Sequence, residues 1–388
     1  MSYPYEGVAV LAPVTVAYRR HAEEGAAWFI GQALREILAV TGVEKNEIDG
    51  LAVSSFSLAP DTTVTLAEHF DMTLRWAEQV TMGGASAVIA LRRAARAIQA
   101  GDADLVACIG GDGHHRGEFA RLVSNFSDFS RRAAYPYGAA GPNGVFSLIT
   151  RAYMDAHGAT REDFGRICIA QRANAGHNPL ALLREPLTME DYLGARPIAE
   201  PLHLYDCVMP CAGAEGFLVT STERAHRIGL PHVSVLAIEE RHNAYRADPM
   251  QHRLGGDGYA QSLYAGAGVS AADIDLVQAY DDYPVIVLLQ LEALGFCKPG
   301  RGPEFLRNTP LTCDGGGLPL NTCGGQLSAG QAGYAGGYLG VTEAIRQLTD
   351  RPLGRAVANA RRGLVSGYGM VNYDRGICTA AAILERGA

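Results

Sequence analysis

An α/β protein assembled from two similar halves is what this sequence predicts, and three observations predict it. An Ile-Asp pair opens a short apolar run twice, at Ile48-Asp49 before Leu51-Ala52-Val53 and at Ile274-Asp275 before Leu276-Val277. Each run has the length of a buried strand. Helical segments alternate with such runs, the pattern of crossover units in a largely parallel sheet. The 388 residues are 48% apolar, enough for one large domain or two ordinary ones, since single cores stop growing near about 250–300 residues.

The elements follow in order. Ile30, Ala33, Leu34, Ile37 and Leu38 recur at helical spacing and predict a helix over residues 26–40, ahead of the first buried strand. The alanine- and arginine-rich Ser86–Ala100 predicts a second helix, broken at Gly101-Asp102 and followed by the apolar strand 105–109. Residues 113–205 are rich in Arg, Pro, Tyr and Asn with poor periodicity, and read as a loop excursion of a functional or interface-forming kind. The second half adds a helix over 285–294 stopped by Gly295, a helix at Ala335–Leu348, an approach through Gly363-Leu364-Val365 into a glycine turn, and a last strand over 376–384. This weak repeat places the halves at 1–235 and 236–388.

The formal net charge of -8 argues against nucleic-acid binding, which calls for a basic patch. Arg92-Arg93 with Arg96, and Arg361-Arg362, read as solvated helix faces. No apolar run approaches the length of about 18 residues that a membrane helix needs, and Met1 to Gly7 shows no signal-peptide pattern. The eight cysteines are scattered, with Cys207 and Cys211 the only close pair, so no zinc site and no bound metal are expected. Reduced thiols in a cytoplasmic protein are the expectation.

Two kinds of motif carry chemistry. Glycines cluster at Met82-Gly83-Gly84-Ala85-Ser86 before a helix, at Gly324-Gly325 after Asn321-Thr322-Cys323, at Gly336-Gly337, and at Gly367-Tyr368-Gly369. Glycine before a helix exposes backbone N–H groups to an oxyanion or a phosphate, and ordinary tight turns are the plainer account. The second motif is Tyr280-Asp281-Asp282-Tyr283, at the end of a predicted buried strand where α/β folds place ligands. Two adjacent carboxylates split their pKa values if buried, although helix capping also uses such residues.

From end to end the chain resembles a thiolase of the sterol-carrier-protein-type branch. The resemblance runs through Asn174, Asn178-Pro179-Leu180-Ala181, Pro186-Leu187-Thr188, Pro201-Leu202, Cys211-Ala212-Gly213-Ala214-Glu215-Gly216, Thr220 to Ala225, Asp273 to Tyr283 and Asn321 to Gly337. It implies a thiolase fold, two α/β halves in five alternating layers with buried helices from each half at the centre. It also shows departures. The nucleophilic cysteine is matched by Gly84 and the histidine that activates it by Gln331; the second cysteine falls at about Val365. The branch's histidine-aspartate-cysteine-phenylalanine motif reads Tyr280-Asp281-Asp282-Tyr283, so Tyr280 stands for the oxyanion histidine and Asp282 for the acid/base cysteine.

Glycine cannot form an acyl-enzyme. Retro-aldol cleavage of a β-hydroxyacyl-CoA needs none, only a base, donors for the thioester enolate and an acid. The resemblance to thiolase-like aldolases of steroid side-chain breakdown therefore implies a carbon–carbon lyase, with Tyr280, Asp282 and Tyr368 moving protons. Gly84 and Gly367 are its expected backbone oxyanion donors, and Gln331 and Tyr334 are expected to touch substrate. CoA enters as part of the substrate, with no bound cofactor. A non-catalytic acyl-CoA-binding subunit and an acyltransferase with Ser86 or Cys323 as nucleophile are the alternatives. A homodimer is expected, its paired sheet edges covering the strand at 105–109, with a small OB-fold, zinc-ribbon protein as a further partner.

Overall fold

The structure, a computed structural model, describes residues 4–117, 127–138 and 141–387. Its strands are β1 (Val8–Arg19), β2 (Gly50–Ser54), β3 (Trp76–Gln79), β4 (Leu105–Asp112), β5 (Pro197–Ala199), β6 (Leu202–His203), β7 (Ala212–Ser221), β8 (His232–His242), β9 (Leu276–Ala279), β10 (Arg362–Asn372) and β11 (Arg375–Arg386). β5 and β6 form a small ribbon; the other nine run in the order β3-β2-β4-β7-β1-β8-β11-β10-β9.

That order is two copies of one pattern. β2 and β4 are parallel, β4 and β7 antiparallel, and β7 and β1 antiparallel. β9 and β10 are parallel, β10 and β11 antiparallel, and β11 and β8 antiparallel. The two sheets touch through Ala9, Val10 and Leu11 of β1 against Ser234, Val233 and His232 of β8. The expected boundary at 235/236 falls inside β8, whose place in the pattern belongs with the second half.

Side-chain alternation sorts the core into layers, because successive residues of a strand face opposite sides. Val106 and Cys108 of β4 pack with the helices Ser86–Ala100 and Ala335–Leu348, whereas Leu105, Ala107 and Ile109 pack with the helix Ala26–Thr41. In β11, Ala380, Ala382 and Leu384 join the same central cluster, and Ala381 and Ile383 face the helices Ala260–Ala267 and Pro284–Ala293. The result is five layers, helix–sheet–helix–sheet–helix, with one central helix from each half. The thiolase-type architecture is the one the sequence predicted.

Three expectations need correction. Gly367-Tyr368-Gly369 is not a turn: all three residues lie inside β10, paired with Ala380, Thr379 and Cys378 of β11. Gly336-Gly337 forms the first turn of the helix Ala335–Leu348, as the sequence predicted. The strand at 105–109 is not at an edge, since β4 lies between β2 and β7, and the end strands are β3 and β9. The excursion is largely helical, with helices at Asp128–Ala133, Gly141–His157, Arg161–Ala175 and Met189–Gly194. The helix Arg161–Ala175 buries polar residues, among them Gln171, Arg172 and Asn174, which blurs the apolar periodicity that would have revealed it.

Candidate active site

A cavity of about 780 Å3 opens where the two halves meet the excursion, within the usual size for small-molecule sites of roughly 300–1,000 Å3. Leu183, Ile198, Leu204, Val208, Leu327 and Val371 give it apolar walls. Gly84, Tyr280, Asp282, Gln331 and Tyr368 converge on it. Gly367 and Tyr334 do not line it. Gly367 lies behind the wall, where an added Cβ would stand 2.6 Å from the Gly84 carbonyl oxygen. Tyr334 is buried beneath the wall residue Phe56, with ring centroids 3.9 Å apart.

Gly84 stands in the single turn Gly83–Ala85 that leads into the first central helix. A Cβ built there would overlap the Tyr280 ring, and one at Gly337 in the other central helix would lie 2.9 Å from the Gly84 carbonyl oxygen. The Tyr280 ring leaves residue 84 no room for a side chain, and the close approach of the two central helices leaves little at residue 337. Tyr280 follows β9, and its hydroxyl accepts a hydrogen bond from Gln331 Nε2 at 3.3 Å. Burial, reinforced by Asp282, holds its proton far above the usual phenol range.

The adjacent aspartates have opposite fates. Asp281 accepts hydrogen bonds from Gln326 N at 3.0 Å and Leu327 N at 3.1 Å, tying β9 to the helix Gly325–Ala329. Burial raises its pKa to about 7 against these donors. Asp282 lines the cavity, and its Oδ1 is buried without a partner. Burial, then the neighbouring Asp281, push its pKa well up, favouring its neutral form over the carboxylate.

Tyr368 is fully buried behind the cavity face; its hydroxyl donates to Gln251 Oε1 at 2.6 Å and accepts from Gly376 N at 2.7 Å. Burial again raises its pKa. A proton transfer through Tyr368 requires exchange of one of these partners.

The relocated nucleophiles find no support in the geometry. Ser86 Oγ is buried and accepts from Met82 N at 2.9 Å. The Cys323 thiol is pushed well up by burial, that of Cys211 on the cavity wall is raised likewise, and Cys207 is raised to about 12. None is a thiolate at neutral pH.

Sequence reasoning missed Asp112 and Asn143, and gave Tyr283 no role of its own within its motif. Asp112 ends β4, where a polar residue closing an apolar run was the available signal. Its Oδ1 accepts from Ser55 Oγ, Ser57 Oγ and Ser57 N, each at 2.7 Å, and from Phe56 N at 2.8 Å; its Oδ2 accepts from Tyr334 N at 2.8 Å. It thereby ties Phe56 to the turn before the second central helix. Asn143 enters from the first turn of Gly141–His157, with no local signal.

Comparison with known proteins places these features. Residues 238–385 match the thiolase C-terminal domain-like family. The chain is 33% identical over 338 residues, 81% of its own length and 83% of the other's, to a steroid side-chain-cleaving aldolase of Thermomonospora curvata. It is 31% identical over 338 residues, 82% of its length and 85% of the other's, to 17-hydroxy-3-oxo-4-pregnene-20-carboxyl-CoA lyase of Mycobacterium tuberculosis. The solved Ltp2-ChsH2(DUF35) aldolase superposes with a TM-score of 0.86 at 28% identity, covering 99% of each chain.

Proposed function

This chain belongs to the thiolase superfamily, in the family of the steroid side-chain-cleaving aldolases, and from that premise we propose how its cavity cleaves a carbon–carbon bond. It is a thiolase-fold lyase acting on acyl-CoA thioesters by retro-aldol cleavage. The observation that carries the mechanism is the Tyr280 ring, which fills the space a side chain at residue 84 would need. No acyl-enzyme forms at that position, and the reaction must proceed without one.

In the reaction the β-hydroxyl loses a proton, the Cα–Cβ bond breaks, and its electrons pass to Cα as a thioester enolate. A ketone or aldehyde departs, and Cα takes up a proton. One proton leaves and one arrives, so a single carboxyl can shuttle it. We assign that shuttle to Asp282: ionised, it is a strong base because burial disfavours its charge, and once protonated it faces the enolate as an acid. The Tyr280 hydroxyl, held by Gln331, is assigned as donor to the thioester oxygen beside the backbone N–H at Gly84. Gln331 is assigned to orient Tyr280. Tyr368, its hydroxyl engaged by Gln251 and Gly376, is assigned to the wall and to proton movement only after partner exchange.

The cavity's volume and apolar walls suit a fused-ring acyl group. The comparison aldolase named with ChsH2(DUF35) supports a partner of that kind, and the end strand β3 offers an edge for a homodimer. All eight cysteines are free, which suits a cytoplasmic setting. The test uses 17-hydroxy-3-oxo-4-pregnene-20-carboxyl-CoA, the compound in the relative's name, with and without a DUF35 protein of the ChsH2 kind. Retro-aldol cleavage releases the 17-ketone and propanoyl-CoA, and the intact protein gains no acyl mass. Binding without release of ketone would instead mark a non-catalytic subunit.

A further inference from the structure

Most polar side chains on the cavity wall are satisfied within the protein. Asp112 is saturated by Ser55, Phe56, Ser57 and Tyr334. Tyr368 is engaged by Gln251 and Gly376. Asn143 differs. Tyr283 Oη donates to Asn143 Oδ1 at 2.5 Å, and Cys207 Sγ approaches the same oxygen at 3.9 Å.

Both contacts fall on the carboxamide oxygen, which accepts from the phenol and the thiol. With Oδ1 on Tyr283, the Nδ2 group is the end left for another acceptor. It has no hydrogen-bond partner among the described residues, while Asn143 lines the cavity. The supports of this arrangement are rigid: the Tyr283 ring stacks on Phe146 with centroids 4.3 Å apart, and Tyr283 caps the helix Pro284–Ala293. Asn143 and Phe146 share the helix Gly141–His157.

The sequence adds an independent observation. Tyr283 is the fourth member of Tyr280-Asp281-Asp282-Tyr283, where the resembling thiolase branch has phenylalanine. The ring is kept, and the added hydroxyl is spent on Asn143. A packing role alone needs no hydroxyl there.

We propose that the Asn143 carboxamide, oriented by the Tyr283 hydroxyl, is the hydrogen-bond donor that binds the β-oxygen of the β-hydroxyacyl thioester. This rests on the retro-aldol reading, and it deepens that reading by naming the group that recognises the hydroxyl. Asn143 exchanges no proton. Its N–H donates to the β-oxygen as the hydroxyl proton leaves for the base and the C–O bond becomes a carbonyl. Charge on that oxygen is greatest in between, where a fixed donor in a water-poor site is worth most. Tyr283 is a positioning residue, acting through Asn143.

The experiment pairs two ligands, 17-hydroxy-3-oxo-4-pregnene-20-carboxyl-CoA and its 17-deoxy counterpart, which cannot undergo retro-aldol cleavage. With the partner protein present, wild type, Asn143→Leu and Tyr283→Phe are compared. Asn143→Leu should lower kcat/KM for the hydroxylated thioester by about 10²–10³-fold, the usual effect of losing one oxyanion donor, and bind the deoxy compound as wild type does within about twofold. Tyr283→Phe should lower kcat/KM less, and the double variant should add little to Asn143→Leu. Asn143→Leu cleaving at the wild-type rate, or weakening binding of the deoxy compound relative to wild type as much as binding of the hydroxylated one, overturns the proposal. If wild type cleaves neither compound, the lyase reading fails separately. The binding arm still decides Asn143: preference for the hydroxylated ligand in wild type and its loss in Asn143→Leu support it, and equal preference in both overturns it.

Discussion

Gly84 and Tyr280 form one device at the scale of residues. The ring occupies the volume of a side chain at 84, so Gly84→Cys should not restore a thiolase-like nucleophile. It should destabilise the protein by about 1–3 kcal/mol through overpacking. Adding Tyr280→Ala should relieve that cost, and thermal unfolding of the two single variants and the double variant measures the coupling. Tyr280→Phe keeps the ring and removes the donor, so the fold should survive while turnover drops about 10²–10³-fold. Asp282→Asn should do the same and also flatten the pH profile. The folded pKa of Asp282 is raised, so its base form grows with pH. Wild-type cleavage should rise with pH through that titration, and Asp282→Asn should lose the rise. Steady-state rates across the pH range check it. If Tyr280→Phe, Asp282→Asn and Tyr368→Phe all cleaved at the full rate, the donor and proton-transfer assignments would be wrong.

Among elements, the short helix Gly325–Ala329 matters more than its length suggests. Its N–H groups at Gln326 and Leu327 take Asp281, and Gly325 is left no room for a side chain because an added Cβ would overlap that carboxylate. Asp281→Asn offers one carbonyl oxygen and turns an N–H toward donors, leaving a buried group unsatisfied at about 1–3 kcal/mol. It should lower the thermal midpoint more than Asp282→Asn does, because Asp282 Oδ1 has no partner to lose. Differential scanning of the two variants separates a structural aspartate from a chemical one. Sequence alone could not make that distinction: two identical residues stand side by side, and a contact made 45 positions away assigns their roles.

For the whole molecule, buried carboxyls make stability depend on pH in a definite direction. Glu215 in β7 is fully buried and accepts from Thr15 Oγ1 at 2.8 Å, Tyr18 Oη at 3.1 Å and Thr342 Oγ1 at 2.7 Å. Burial, opposed by Arg346, raises its pKa to about 7; Asp281 is raised to about 7 and Asp112 to about 6, in each case by burial. Unfolded carboxyls titrate near about 4. Between these values the folded state binds more protons, so the stability is complete below about pH 4 and is lost as pH rises through 6 to 7. The thermal midpoint should therefore fall from pH 5 to pH 8. Glu215→Gln should lessen the fall by about 1–3 kcal/mol, which calorimetry at several pH values reads. Light scattering at micromolar concentration tests the proposed homodimer, and a monomer would count against it.

The sequence by itself determined what depends on neighbours along the chain. Apolar spacing in 26–40 placed a helix because burial on one face imposes a period of 3.6, and the continuous apolar run at 105–109 placed a strand because both its faces are buried. The two Ile-Asp starts revealed the repeat because both halves build the same strand, central helix and parallel strand. The ordered thiolase motifs marked Gly84 and Tyr280 separately. Tertiary structure alone decided how they meet: the ring over Gly84, the bond from Tyr283 to Asn143, and the rescue of Asp281 but not Asp282. It also turned Gly367-Tyr368-Gly369 from an apparent turn into the middle of β10. There glycine serves the close approach of the strand to the central helix, a demand set by the partner across the layer and carried by no local pattern.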